Sequence, residues 1–178
     1  MPIQTIPDPL SLLRPVSKII TASYPRPADT TAYAVGDVLA DSTSAATILT
    51  FANVARSAGL GFLIDGVTLI QSTAPTTLPS LELHLFDTSI TMQNDNAAWN
   101  PTDADLAKSL GYIKFPGTQV AGAASGGNGN SVLSVATDIK SRAAAAAATS
   151  IYGVIVVRNA YTPASAESFT FRLHVIQD

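Results

Sequence analysis

Residues 168–175 read SFTFRLHV, with Phe169, Phe171, Leu173 and Val175 alternating against Ser168, Thr170, Arg172 and His174. A period of two sends successive side chains to opposite faces, so this stretch predicts a β-strand with one apolar and one polar side. Leu81–Phe86 (LELHLF) repeats the pattern, with Leu81, Leu83 and Leu85 inward and Glu82 and His84 outward. Residues 151–158 (IYGVIVVR) are nearly all apolar, as in a central strand covered on both sides. Those three segments set the fold class.

Working outward, shorter strand-like runs occupy residues 18–24 (KIITASY), 32–39 (AYAVGDVL), 47–54 (TILTFANV) and 112–115. Residues 59–71 (GLGFLIDGVTLIQ) place Leu63, Val67 and Leu69 on one face and Phe62, Ile64 and Ile70 on the other. Two apolar faces predict a strand inside a sandwich or at an interface. Gly, Pro and Ser/Thr turns separate these runs, including Pro25, Pro27, Pro75, Pro79 and Pro163. Many short strands joined by such turns indicate an all-β protein, and the strand–long loop–strand rhythm favours a jelly-roll-like β-sandwich. Two minor helices are expected. One begins in NPTDADLAKSLG, with Asn100 as cap, Pro101 first and Gly111 as stop. The other is the alanine run 143–148, too short to persist unaided.

The first seventeen residues read differently. Prolines at 2, 7, 9 and 15 interrupt any periodic pattern and keep the segment extended. Ile3, Ile6, Leu10, Leu12 and Leu13 make it too apolar for a solvated tail. The expected organisation is an extended N-terminal arm over residues 1–17 and a β-sandwich domain over 18–178. Those five aliphatic residues are the candidate contact with a neighbouring subunit.

Composition narrows the function. Of 178 residues, 47% are hydrophobic and only 13% charged, against about 25% charged in ordinary globular chains. Such a chain combines a Ser/Thr/Asn surface with burial against other chains. A net charge of −3 with no basic run leaves no footprint for nucleic acid. The start lacks a basic n-region, and no stretch approaches the roughly 20 apolar residues of a membrane span. No membrane partner is expected. There is no cysteine, hence no disulfide framework and no thiolate metal site.

Three constellations test for chemistry. Residues 86–105 (FDTSITMQNDNAAWNPTDAD) gather Asp87, Asn94, Asp95, Asn96, Asn100, Asp103 and Asp105, oxygen ligands of the kind calcium takes. The Gly and terminal Glu of an EF-hand loop are missing, and helix capping and turn chemistry account for the cluster. Asn94–Asn96 reads as turn material and Trp99 as the residue pinning the loop to the body. His84 and His174 fall on polar strand faces with no G-x-S-x-G elbow and no H-x-x-x-H spacing, and read as solvated positions. The glycine run 122–130 has no following Lys for a phosphate loop. Neither a catalytic residue, nor a cofactor site, nor a metal site is assigned.

Three segments taken together carry a resemblance: TTAYAVGDVLADS (30–42), LHLFDTSITMQNDNAAWNPTDADLAKSLGYIKF (83–115) and SIYGVIVVRNAYTPASAESFTFRLHVIQD (150–178). In this order they resemble the head decoration, cement or stabilisation proteins of tailed bacteriophages, over about half of the chain. The resemblance implies a jelly-roll-like virion protein, made in the host bacterial cytoplasm and carried on the capsid exterior. It would clamp neighbouring major capsid subunits and has no catalytic residues. Its expected partners are the major capsid protein and copies of itself, a trimer favoured over a dimer. Another virion structural β-sandwich, from tail or baseplate, and a carbohydrate-binding β-sandwich module remain as alternatives.

Overall fold

The computed structural model describes residues 15–73, 77–117, 131–136, 142–144 and 148–178. The predicted arm residues Ile3, Ile6, Leu10, Leu12 and Leu13, and the glycine run 122–130, lie outside the described residues. Among the described residues ten strands and one helical turn follow one another: β1 (Val16–Pro25), β2 (Val38–Leu39), β3 (Leu49–Phe51), β4 (Gly61–Gln71), β5 (Leu81–Phe86), α1 (Asp103–Leu106), β6 (Ser109–Phe115), β7 (Ser131–Ala136), β8 (Arg142–Ala143), β9 (Ile151–Val157) and β10 (Ser168–Gln177).

They form two antiparallel sheets. One runs β1-β10-β4, with β7 and β8 sharing the far side of β4. The other runs β9-β5-β6, with β2 and β3 sharing the outer side of β9. Counting β2 with β3 and β7 with β8 as interrupted strands reduces ten to eight. Apart from β5 and β6, no sheet neighbours are then consecutive in sequence, and the chain passes back and forth between sheets. That order is the jelly roll.

The core lies between the sheets. Phe169, Phe171, Leu173 and Val175 of β10 are fully buried, as the alternation predicts. Phe171 meets Phe115 of the opposite sheet edge-on, with ring centroids 5.7 Å apart. Gly153 of β9 sits where a Cβ would come within 2.9 Å of Leu83 and 3.2 Å of Phe51. Only glycine lets those two core side chains close over the central strand.

Several elements depart from the sequence reading, each for a local reason. The run 32–39 is a strand only at Val38–Leu39, because Gly36 adopts φ +95° and turns the chain. In β4 the register slips: His174 faces Gly66 while Val175 faces Ile64, leaving Asp65 unmatched. This β-bulge reverses the alternation midway. Phe62 and Ile64 therefore join Val67 and Leu69 on the buried face, and Leu63 and Ile70 lie on the other, so both faces are apolar as expected but with a different membership. The helix is capped by Thr102, not Asn100. Its hydroxyl accepts from the Asp105 N–H at 3.2 Å, and the Asp105 carboxylate reaches back to the Thr102 N–H. Gly111 does not end it; Gly111 lies within β6, at φ +104° beside a second register slip. Ala143, expected in a helix, belongs to β8.

Replacing Phe171 with Ala removes a fully buried ring and should cost about 3–5 kcal/mol. Chemical denaturation of the two proteins measures it, and an unchanged midpoint would contradict this placement of the core.

Candidate functional site

The densest polar arrangement lies where β1, β10 and β4 end side by side, with Pro25 opposite Ser168 and Phe169 opposite Gln71. The loops leaving these strand ends meet there. Arg26, just past β1, donates its backbone N–H to the Glu167 carbonyl at 2.8 Å. Its side chain turns inward and is fully buried against Asp95, Nη2 to Oδ2 at 3.1 Å. Arg26 Nε also donates to the Tyr33 hydroxyl, which in turn donates to Asp95 Oδ1 at 2.5 Å. The Ala40 N–H occupies the same oxygen at 2.7 Å.

A second carboxylate continues the arrangement. Glu167, also buried, accepts from Gln71 Nε2 at 2.6 Å and from the hydroxyls of Thr73 and Tyr161. The Tyr33 and Tyr161 rings stack nearly parallel, with centroids 6.2 Å apart, and their backbones form an isolated antiparallel bridge. Residues from β4 and from five separate loops are thereby tied together.

Burial pushes both phenols far up from their ordinary value, and bonding to Asp95 and Glu167 pushes them further. They stay protonated at neutral pH and hold their hydrogen bonds in one direction. All four carboxylate oxygens are occupied by donors. No base is left free beside a nucleophile, as acid–base chemistry requires. The cluster fixes loops; it is built for position.

Asn94–Asn96 does form the expected turn, closed by the Ala97 N–H on the Asn94 carbonyl at 3.1 Å; what the sequence reading did not show is that the Asp95 side chain is buried against Arg26. The loop from 87 to 101 that carries it lies along the edge of β2. Asn96 N–H donates to the Val38 carbonyl at 2.9 Å, Val38 N–H to the Ala97 carbonyl at 2.8 Å, and Trp99 N–H to the Gly36 carbonyl at 2.8 Å. Asp95 N–H donates to the Ser42 carbonyl at 2.8 Å. The loop thus covers a sheet edge that would otherwise expose unpaired backbone. Trp99 packs over the outer side of β5, 6.3 Å from Phe86 and 5.7 Å from His84. Asn94 accepts from the Ala46 N–H at 3.2 Å. Among the described residues no three His, Asp or Glu side chains gather closely enough to hold a metal ion.

His84, read as solvated, is mostly covered. It lies between Trp99 and Tyr112, the latter ring 5.2 Å away, and its Nε2 is 3.1 Å from Glu82 Oε2. Arg158 reaches the same oxygen from Nη2 and Nε at 2.6 and 2.7 Å. Burial holds the imidazole below its ordinary pKa despite the neighbouring carboxylate. Burial raises Glu82, but the hydrogen bond and charge of Arg158 outweigh it, and its pKa ends below the usual value. His174, on the outward side of β10, is within 3.3 Å of the Thr68 hydroxyl. The two histidines lie on different sheets and form no joint site.

No protein-family profile matches the sequence, and no curated protein matches it. Among solved structures, a chain of the Cyanophage Pam1 capsid asymmetric unit is similar over 92% of this chain and 86% of its own, at 16% identity and TM-score 0.37. A chain of the acidic stable capsid of Helicobacter pylori bacteriophage KHP30 is similar over 90% and 87%, at 14% identity and TM-score 0.32. Turnip yellow mosaic virus follows with 99% and 85%, at 12% identity and TM-score 0.29. All three are virus particles, two of them phage capsids. At these scores the jelly-roll assignment stands on the strand order alone.

Two outcomes follow from the geometry. Asp95→Ala leaves the buried Arg26 guanidinium with only the partly exposed Asp29 carboxylate, 3.3 Å from the same Nη2, as counter-charge, and should cost about 3 kcal/mol in denaturation; a cost below about 1 kcal/mol would show that the network holds little. The lowered pKa of His84 favours the neutral ring in the folded state. Its contribution to stability is therefore present above the ordinary histidine value of 6.5 and lost as pH falls through the lowered folded value. Melting temperature should drop on acidification across that window, and His84→Phe should flatten the drop. An equal drop in the variant would assign it elsewhere.

Proposed function

We propose that this is a phage virion structural protein that binds the outer face of the capsid shell and stabilises it by clamping neighbouring major capsid subunits. The observation that carries the reading is where the apolar N-terminal sequence meets the domain. Residues 2–13 hold five large aliphatic side chains among prolines. They lead directly into β1, an edge strand whose Val16 and Ile19 remain 45% and 48% exposed. An apolar sequence that leads into an exposed apolar strand end suits a protein that acts by burying area against others.

The rest is in keeping with that. The buried charges are spent on holding loops, and the sequence resembles phage head decoration proteins. Of the large apolar side chains left exposed among the described residues, only Tyr112 is aromatic, which gives little platform for a sugar. Shell stabilisation works by mass action, since a partner that binds only the assembled state raises its stability. Many symmetric copies make weak contacts strong. Three copies around a local three-fold axis, with the arm Pro2–Pro15 against a sister subunit or the shell, fit this role. No catalytic function is assigned, and the place of action is the capsid exterior.

Deleting residues 2–15 should leave the melting temperature of the β domain unchanged while weakening self-association and shell binding. Light scattering and co-sedimentation with undecorated shells measure the two effects. A monomeric full-length protein whose truncated form binds shells equally well would contradict the reading.

A further inference from the structure

The outer sides of the two sheets differ. Over β9 and β5 the loop 87–101 and Trp99 form a roof, so Val154, Val156 and Phe86 are fully buried although they point away from the sandwich core. Nothing comparable lies over β1, β10 and β4 among the described residues. Their outward positions follow from register: Ile19 beside His174 and Gly66, Thr21 beside Arg172 and Thr68, Ile176 beside Leu63, and Thr170 beside Ile70. Ile19 is about half exposed, and Leu63, Ile70 and Ile176 are partly exposed.

The chemistry of this face is unusual for open surface. Apart from the four aliphatic residues, its described positions are Ser and Thr, with Pro25, Gly66, His174, one cation (Arg172) and one anion (Asp65). The two charges cancel. Such a face has hydroxyls to pair and aliphatic area to bury, and no field to attract a charged partner. The chain also enters the domain at Val16, at one corner of this sheet, after a stretch of fourteen residues outside the description. The apolar N-terminal sequence therefore joins the domain at the edge of this sheet.

We propose that the open face of the β1-β10-β4 sheet is the surface laid against the shell, and that its partner is an uncharged, hydroxyl- and amide-rich protein surface bound without electrostatic steering. This rests on the shell-binding reading above and specifies which side of the domain performs it. Area and hydroxyl pairing would supply the contact, so affinity should be almost independent of ionic strength.

The test uses the full chain and undecorated shells in co-sedimentation at low and high salt. Ile19→Glu and Thr21→Glu place a charge on the open face at exposed positions, and Tyr112→Glu places one on the opposite, roofed sheet. Circular dichroism melts verify that each variant is folded. The expected result is binding that salt does not change, weakened tenfold or more by both open-face variants (about 1.4 kcal/mol or more) and unaltered by Tyr112→Glu. Wild type that binds, with open-face variants binding equally, overturns the face and leaves shell binding standing. Binding lost through Tyr112→Glu, or abolished by salt, also overturns it. An oligomer that becomes monomeric on Ile19→Glu reassigns the face to a sister subunit. Wild type that binds no shell overturns the functional reading and this inference together.

Discussion

One carboxylate determines much of the arrangement outside the core. A charged Asp95 cannot be taken out of water without a counter-charge and donors for its oxygens, and Arg26, Tyr33 and Ala40 supply them. Those partners stand at the end of β1, in the following loop and just after β2. For Asp95 to reach them, the loop 87–101 has to lie along β2, and there its backbone pairs with Gly36 and Val38. Trp99 then comes to rest over β5. Removing the charge would loosen the roof as well as the loop ends.

The roof makes the sandwich two-sided in its chemistry. In one sheet the central strand β9 is buried on both faces, as the run Val154–Val157 with no exposed residue shows. The other keeps an outward face of aliphatic and hydroxyl side chains. A protein with 13% charged residues relies on such hydroxyls for solubility, and they also allow the face to be covered by another neutral surface at small desolvation cost.

Legibility in the sequence followed the range of the interactions. β5 and β10 could be read because alternation is local and their inward sides are uniformly apolar. β9 could be read because burial on both faces removes polar residues. The bulge at Asp65 left no such mark, since one inserted residue looks like an ordinary polar position until the register with His174 and Val175 is known. The pairing of Asp95 was hidden for a related reason: the turn between two asparagines is a local signature and was legible, while the partner Arg26 lies 69 residues away. Asn100 and Thr102 are both good caps, and the reciprocal bond with Asp105 chose between them. Of the candidate interface, the aliphatic residues from Ile3 to Leu13 were visible as composition, whereas the neutral outward face appears only when β1, β10 and β4 are placed side by side.

The most direct measurement of the central claim is cryo-electron microscopy of the intact phage particle, with this chain fitted as a rigid jelly roll. The account predicts its density outside the shell, touching more than one capsid subunit, with the β1-β10-β4 sheet turned inward. Density for the chain confined to the tail or baseplate, or a particle that lacks it, would contradict the account.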